Sequence, residues 1–290
     1  MRFRTQIRNI TTFTKLTQSI CSIGKLAWFR LSEDEIRIVV HDLEGTQFWA
    51  TLTIPTLFED YSVTSNNNNV IHLEIPLQQL HRALRSCATA SEAILRLSKR
   101  ASDNIPILSL TITTTAAHSA VAGPSLVTQE IPVRVLAAPA VNAIREPHAP
   151  QGDVSVYLPP LSQLRGIVDR FNKLSAFGAT SSEPHRLEVS ANAAGTFRIA
   201  LKAADVDVQS QWERLKVTPE TEASGREKDR FAVVRIDGRD WVKVLRIGSF
   251  AKRVVACFCE GFALVFYVFL TAEGEGDDTV LTYYMSSFSD

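Results

Sequence analysis

The sequence carries no excess of either charge: 31 Lys and Arg stand against 31 Asp and Glu. A free-standing nucleic-acid binder usually has a clear positive excess, so any basic surface here must be local and offset by acidic surface elsewhere. There is no GxxxxGK[ST] phosphate loop, no HExxH and no GxSxG elbow, which removes the enzyme classes those motifs mark. The six histidines, His41, His72, His81, His118, His148 and His185, are scattered, and none pairs with a cysteine at metal-ligand spacing. His41-Asp42 reads as a polar pair at a strand end, and Glu33-Asp34-Glu35 as a solvated turn. No catalytic residue, metal site or cofactor is expected, and the chain is not expected to be an enzyme.

Cysteine is sparse, at four residues. Cys257 and Cys259 are read as pointing to opposite faces of one strand, which argues against a zinc knuckle or a redox CxxC. Cys21 and Cys87 fall on or beside apolar helical stripes. All four are expected as small buried hydrophobes in a reducing compartment. Long apolar runs are missing too. The most apolar stretch, Val254 to Leu270, is broken by Glu260-Gly261, whereas a spanning helix needs about 20 apolar residues. Two buried strands joined at that turn are expected instead. The opening Met1-Arg2-Phe3-Arg4 has no apolar signal-peptide core, and no basic cluster marks a nuclear import signal. The expectation is a soluble, intracellular chain without a membrane partner.

What is present is enough apolar material, 45% of 290 residues, for one large domain or two of about 150 residues each. Arg2 to Arg8 alternates as a half-exposed strand, with Phe3, Thr5 and Ile7 on one side. From Asn9, a plausible N-cap, the period becomes helical through Ile10, Phe13, Leu16, Ile20 and Ile23. Strands are expected at Leu26 to Leu31, Glu35 to Val40, Gln47 to Leu52 and Val70 to Ile75, with turns at 32–34 and 42–45 and a polar loop at 66–69. A second helix starts near Pro76, with Leu77, Leu80, Leu84 and Cys87 buried. Further strands follow at Glu92 to Leu97, Ile105 to Thr113 and Val127 to Val135, where Pro132 implies an edge or bulge. Thr114 to Ser125 reads as a loop of small residues.

Leu136 to Gly152 is rich in proline and alanine and aperiodic, which makes it the natural boundary. Domains are expected at 1–135 and 153–290, joined by a connector at 136–152. The second half repeats the pattern: a strand at Asp153 to Leu158, a helix on Leu161, Leu164, Ile167, Val168, Phe171 and Leu174, then strands at His185 to Ser190, Thr196 to Leu201 and Val206 to Trp212. Pro219 to Arg230 reads as an exposed or disordered loop. A strand at Phe231 to Ile236 leads to Asp237 as N-cap of a helix with Trp241, Val244, Leu245 and Gly248 on one face. Strands at Arg253 to Phe258, Phe262 to Leu270 and Thr279 to Met285 close the chain, with an acidic loop at 273–278. A strand-helix-three-strand unit used four times is unlike the alternation of a nucleotide-binding parallel sheet.

The four helices share a second pattern, a basic polar face. The first thirty residues hold six Lys and Arg and no Asp or Glu. Lys15 and Lys25 belong to the first helix, Arg82 and Arg85 to the second, Arg165 and Lys173 to the third, and Arg239, Lys243 and Arg246 to the fourth. Cations spaced along helix faces can meet phosphates without reading bases, a contact that is sequence-independent and salt-sensitive. Asp169 departs from that pattern on the third helix.

The opening Met1-Arg2-Phe3-Arg4, Trp49 to Leu57, Ile71-His72-Leu73-Glu74-Ile75 leading into Leu77 to Leu84, Gln129 to Val135 and Asp153 to Pro159 occur in an order that resembles the Hus-type subunit of the nine-one-one checkpoint clamp. The resemblance covers the whole chain and implies an α+β, DNA-clamp (PCNA-like) fold of two similar domains, each with two helices packed on antiparallel sheets. It implies a non-catalytic subunit that closes a heterotrimeric ring with two Rad-type chains. An ATP-dependent clamp loader would place that ring on double-stranded DNA at recessed ends. The ring would then recruit checkpoint kinase activators and repair proteins in the nucleus. The nine cations named above would be the DNA-facing residues, and the connector would border a groove for partner peptides. A protein-only scaffold and a homo-oligomeric clamp are the competing expectations.

Overall fold

The computed structural model describes residues 1–41, 45–114, 125–142, 144–178, 186–203, 206–270 and 279–288. Contacts divide the chain into two units, one of Met1–His41 with Trp49–Arg145 and one of Asp42–Phe48 with Glu146–Asp290.

In the first unit, β1 (Arg2–Ile7) alternates as its sequence does. Phe3, Thr5 and Ile7 are buried, while Arg2 and Arg4 face solvent. Asn9 caps α1 (Ile10–Ile20), its Oδ1 accepting the Thr12 N–H at 3.1 Å. Then come β2 (Leu26–Leu31), β3 (Glu35–Val40), β4 (Gln47–Thr53), the single turn α2 (Ile54–Leu57), β5 (Phe58–Thr64) and β6 (Ile71–Pro76). Pro76 ends β6 and stands just before α3 (Leu77–Ser86) rather than in its first turn. β7 (Glu92–Lys99), β8 (Pro106–Thr114), β9 (Ser125–Pro132), β10 (Arg134–Val135) and α4 (Ala138–Asn142) complete the unit.

Two strand runs form, ordered β9-β8-β7-β1-β5 and β4-β3-β2-β6-β10. The predicted strand from Val127 to Val135 is two strands in different runs. β9 pairs with β8, and after one residue, Val133, β10 pairs with β6. Pro132 is the corner, where the missing N–H ends one ladder. α1 packs on α3, and Phe13 of α1 meets Phe58 edge-on at 5.4 Å. Phe13, Leu16, Ile20, Leu80 and Leu84 are fully buried, as the helical spacing required. β5 and α2 were not expected. Asp60 takes a positive φ of 48° and the β1–β5 register slips between Arg4 and Gln6. That bulge erases the alternation that would reveal the strand.

The second unit holds β11 (Val154–Tyr157), α5 (Leu161–Gly178), β12 (Arg186–Asn192), β13 (Phe197–Ala203), β14 (Val206–Trp212), α6 (Pro219–Ala223), β15 (Phe231–Asp237), α7 (Gly238–Leu245), β16 (Arg253–Cys259), β17 (Ala263–Phe269) and β18 (Val280–Ser286). Its strands run β18-β17-β16-β11 and β14-β13-β12-β15, the order of the first unit without its outermost members. Where β5 flanks β1, here a single bridge joins Val156 to Val217. α5 packs on α7, and Gly238 permits the approach: a Cβ there would overlap the Asn172 carboxamide, whose Nδ2 donates to the Gly238 carbonyl at 2.9 Å. Asp237 caps α7, accepting the Arg239 N–H at 2.7 Å. After Leu245 the chain tightens into a 3-10 turn, Arg246–Ser249, so Gly248 leaves the buried face and is exposed.

The expectation of an exposed or disordered loop at 219–230 is corrected in part: most of the segment is exposed, but its start is a helix and it is tied down at two residues. Pro219 opens α6, and Thr221 is buried, its hydroxyl accepting the Ser155 N–H at 2.8 Å. Arg226 pairs with Asp153 and, at 2.9 Å, with Glu260. Of the loop read at Thr114 to Ser125, the two end residues pair with each other as strand, and 115–124 lie outside the described residues, as do 273–278, His118, His185 and the Asp42 partner of His41. No helix among the described residues is long and apolar enough to cross a membrane.

Candidate nucleic-acid interface

Burying one stripe of a helix against a sheet turns its other side outward. On α1 that side carries Thr11, Lys15 and Gln18. On α3 it carries Gln78, Arg82 and Arg85, both arginines exposed. Lys25 is exposed just beyond α1, its carbonyl accepting the Leu77 N–H that starts α3 at 3.0 Å. The two helices are also tied by Thr17, whose hydroxyl donates to the Thr14 carbonyl and lies 3.3 Å from His81 Nδ1. Burial lowers the His81 pKa and outweighs a backbone hydrogen bond at Thr14 that raises it, with a smaller lowering from the Arg85 charge. The structure thus brings Lys15, Lys25, Arg82 and Arg85 onto one packed helix pair that contains no acidic residue.

The α5–α7 pair differs. Arg165, Lys173, Arg239 and Arg246 are exposed and Lys243 is half-buried. Arg165 lies 3.8 Å from Asp169, and Lys243 lies 2.5 Å from Asp240. Arg165 and Lys243 therefore each face a carboxylate on their own helix. Asp240 was not weighed against Lys243 in the sequence, although a spacing of three on a helix puts them side by side.

The six cations of the first thirty residues divide among surfaces. Arg2 and Arg4 lie on the solvent side of β1, with Arg4 directly across from Arg96 of β7. Arg30 lies on another sheet face, where it helps to line a cavity of about 520 Å³ within the first unit. Ala27, Phe29 and Leu31 of β2 point into the core, so Trp28 and Arg30 point the other way. Opposite them across β3 stand Val39 and Arg37. Leu136, Val141 and Ile144 of the expected connector form a further wall. That wall is anchored by the Leu136 N–H, which donates to the His72 carbonyl at 2.9 Å. His72 itself is buried, and burial followed by the Arg30 charge lowers its pKa. The connector was expected to border a groove, but the β2 and β3 side chains of this cavity were not singled out in advance. The available signal was a tryptophan and an arginine on the polar side of a strand whose other side is purely apolar.

One expectation about the cysteines is wrong. Positions 257 and 259 are two apart, so the pleat puts both on the same face. Both thiols are buried with Ala263 and Val265, and Cys259 Sγ donates to the Pro150 carbonyl at 3.4 Å. The two thiols titrate together: their contact shifts Cys257 down and, with burial, shifts Cys259 up. No cluster of three or more metal-ligating side chains occurs among the described residues.

Comparison with known proteins places this geometry. A family description, Hus1-like protein, matches residues 1–289. The chain is 40% identical to checkpoint protein hus1 of Schizosaccharomyces pombe over 302 aligned positions, which cover all of both chains. It is 25% identical to checkpoint protein HUS1 of Homo sapiens, covering 84% of this chain and 86% of that one. A Dictyostelium discoideum hus1 homologue is 24% identical, with 98% of each chain covered. Among solved structures, proliferating cellular nuclear antigen from Entamoeba histolytica matches with a TM-score of 0.69 at 13% identity, covering 99% of both chains. The fold is the α+β clamp fold of that antigen.

Proposed function

The chain belongs to the Hus1-like family, and on that premise we propose that it is a non-catalytic subunit of a checkpoint clamp that encircles double-stranded DNA near damage. Its clamp domains are 1–135 and 153–290, joined by the connector 136–152. Two further clamp subunits close the ring, an ATP-dependent loader places it at recessed ends, and checkpoint and repair proteins dock on it in the nucleus. The observation that carries this reading is the pair of packed helix layers with cations on their outer sides, on a clamp fold. DNA is held through Lys15, Lys25, Arg82 and Arg85, supported by Arg165, Lys173, Arg239, Lys243 and Arg246. Because the chain has no net charge, ring closure rather than overall attraction keeps it on DNA.

The test is retention on circular DNA bearing one recessed end, after loading of the chain with its two partner subunits. The ring is expected to resist a salt wash on closed circles and to leave when the circle is cut. Lys15→Glu with Arg239→Glu should lower loading and make its salt dependence shallower. Undiminished loading of that double variant would rule out contact by these faces. A stable homotrimer of the chain alone, by native mass measurement, would overturn the three-subunit ring.

A further inference from the structure

Two arginines of the first unit stand side by side on a sheet face that the DNA contacts leave unused. Arg4 of β1 is directly opposite Arg96 of β7, and like charges directly opposite each other destabilise a strand pair. We propose that the two hold one phosphorylated side chain of a partner protein, a dianion that turns their repulsion into a clamp. The site needs neither ring closure nor DNA and goes beyond the clamp function.

Phe3 and Thr5 of β1 and Ala93 and Leu95 of β7 are buried. The pleat therefore turns Arg4 and Arg96 to the other face, where both are exposed. α1 lies against the inner face, its Phe13 meeting Phe58 of β5, so the two arginines are on the side away from the helical cations. Opposed residues hold their Cβ atoms about 5 Å apart, close enough for both guanidiniums to reach one phosphate. Ser62 of β5, exposed and opposite Arg4, adds a hydroxyl donor. Arg2, also exposed, follows about 7 Å along the strand. Among the described residues, neither Arg4 nor Arg96 meets a carboxylate. The stretch 115–124, which links β8 to β9 outside the described residues, contains no Asp or Glu.

Charge selects the ligand. A phosphoserine carries about 1.5–2 negative charges at neutral pH and three acceptor oxygens, which match two planar guanidinium forks. A carboxylate carries one charge and leaves one guanidinium uncompensated. A nucleic-acid strand needs a longer positive track than this face provides. Along β1 the positive surface ends at Gln6, opposite the exposed Glu59. Across the strands, Ser109 follows Arg96, and then comes Glu130, already held by Arg100 at 2.9 Å. The surface is thus a patch of Arg2, Arg4 and Arg96, sized for one phosphorylated residue with an acidic neighbour at Arg2.

The test labels the full chain with isotopic arginine and follows the guanidinium Nε–H signals by NMR in phosphate-free buffer, assigned with Arg4→Gln and Arg96→Gln. The probes are glycine-rich peptides alike except for one central phosphoserine, aspartate or serine, and a short oligodeoxythymidylate. The phosphoserine peptide should shift the Arg4 and Arg96 signals and bind about tenfold more tightly than the aspartate peptide. Either glutamine variant should lose about tenfold of that affinity. Without ligand, Arg96→Gln should melt about 1–3 °C higher than the parent, because the opposed charges are gone. Equal affinity for aspartate and phosphoserine would overturn the dianion assignment. Tighter binding of the oligodeoxythymidylate, with the same two signals moved, would make the patch a nucleic-acid surface. If no probe moves Arg4 or Arg96, the patch is not an anion site. Arg4→Gln with Arg96→Gln should be retained on circular DNA like the parent; lost retention would assign the pair to DNA instead.

Discussion

Cys21 and Cys87 sit beside the buried stripes of α1 and α3, and burial pushes both thiols up to about 11. In the unfolded chain a cysteine titrates near 8.5, so the unfolded state gives up these protons first. A raised folded pKa means that the stabilisation is complete below the unfolded value and is lost as pH climbs towards the folded one. Thermal melts under reducing conditions should therefore hold level to about pH 8 and fall from about pH 9 to pH 10.5. Cys87→Ala should flatten part of that fall; an unchanged slope would show that the thiol is not the titrating group. Cys257 and Cys259 show the limit of reading single residues. Their burial was legible from composition, but their shared face required counting the pleat correctly. The nine basic positions were legible as outward-facing, because a helix with a clear apolar stripe leaves little choice. Which of them face an acid was not, since Asp240 matters only through its place three residues before Lys243.

At the scale of elements, the periodic ones were legible and the irregular ones were not. α1, α3, α5 and α7 and the strands on either side of them follow from stripes and alternation. β5 hides behind the Asp60 bulge. α6 hides because Pro219, Glu220, Glu222, Arg226 and Lys228 look like solvated loop, when Arg226 is only 14% exposed at its side chain. Its partners, Asp153 and Glu260, come from distant parts of the sequence, one at the entry to β11 and one in the turn after β16. Removing the cation leaves two carboxylates close together. With both about one-third exposed, water screens part of the cost. Arg226→Met should destabilise the chain by about 1–3 kcal/mol in denaturant melts and open 219–230 to trypsin at Lys228 and Arg230. A variant as stable and as protease-resistant as the parent would return this segment to the status of a loop.

For the whole molecule, the proposed place as one third of a ring requires surfaces that other chains can complete. β9 ends a strand run and carries Leu126 and Val127, 67% and 45% exposed. Natural proteins rarely leave apolar side chains on an unpaired edge unless something covers it. Leu126→Lys with Val127→Glu should leave the melting temperature of the isolated chain within about 2 °C, because exposed substitutions cost little. The same double change should abolish co-migration with at least one partner subunit in size-exclusion chromatography. Full assembly of that variant would move the ring joint elsewhere. The Pro132 corner adds a constraint of its own. β9 stops there, and Leu136, in the wall of the cavity beside β2, follows four residues later. A chain of that length reaches at most about 14 Å, and β10 occupies half of it in its pairing with β6. In the proposed ring, a neighbour seated on β9 would thus hold one end of a short leash whose other end is the wall of that cavity.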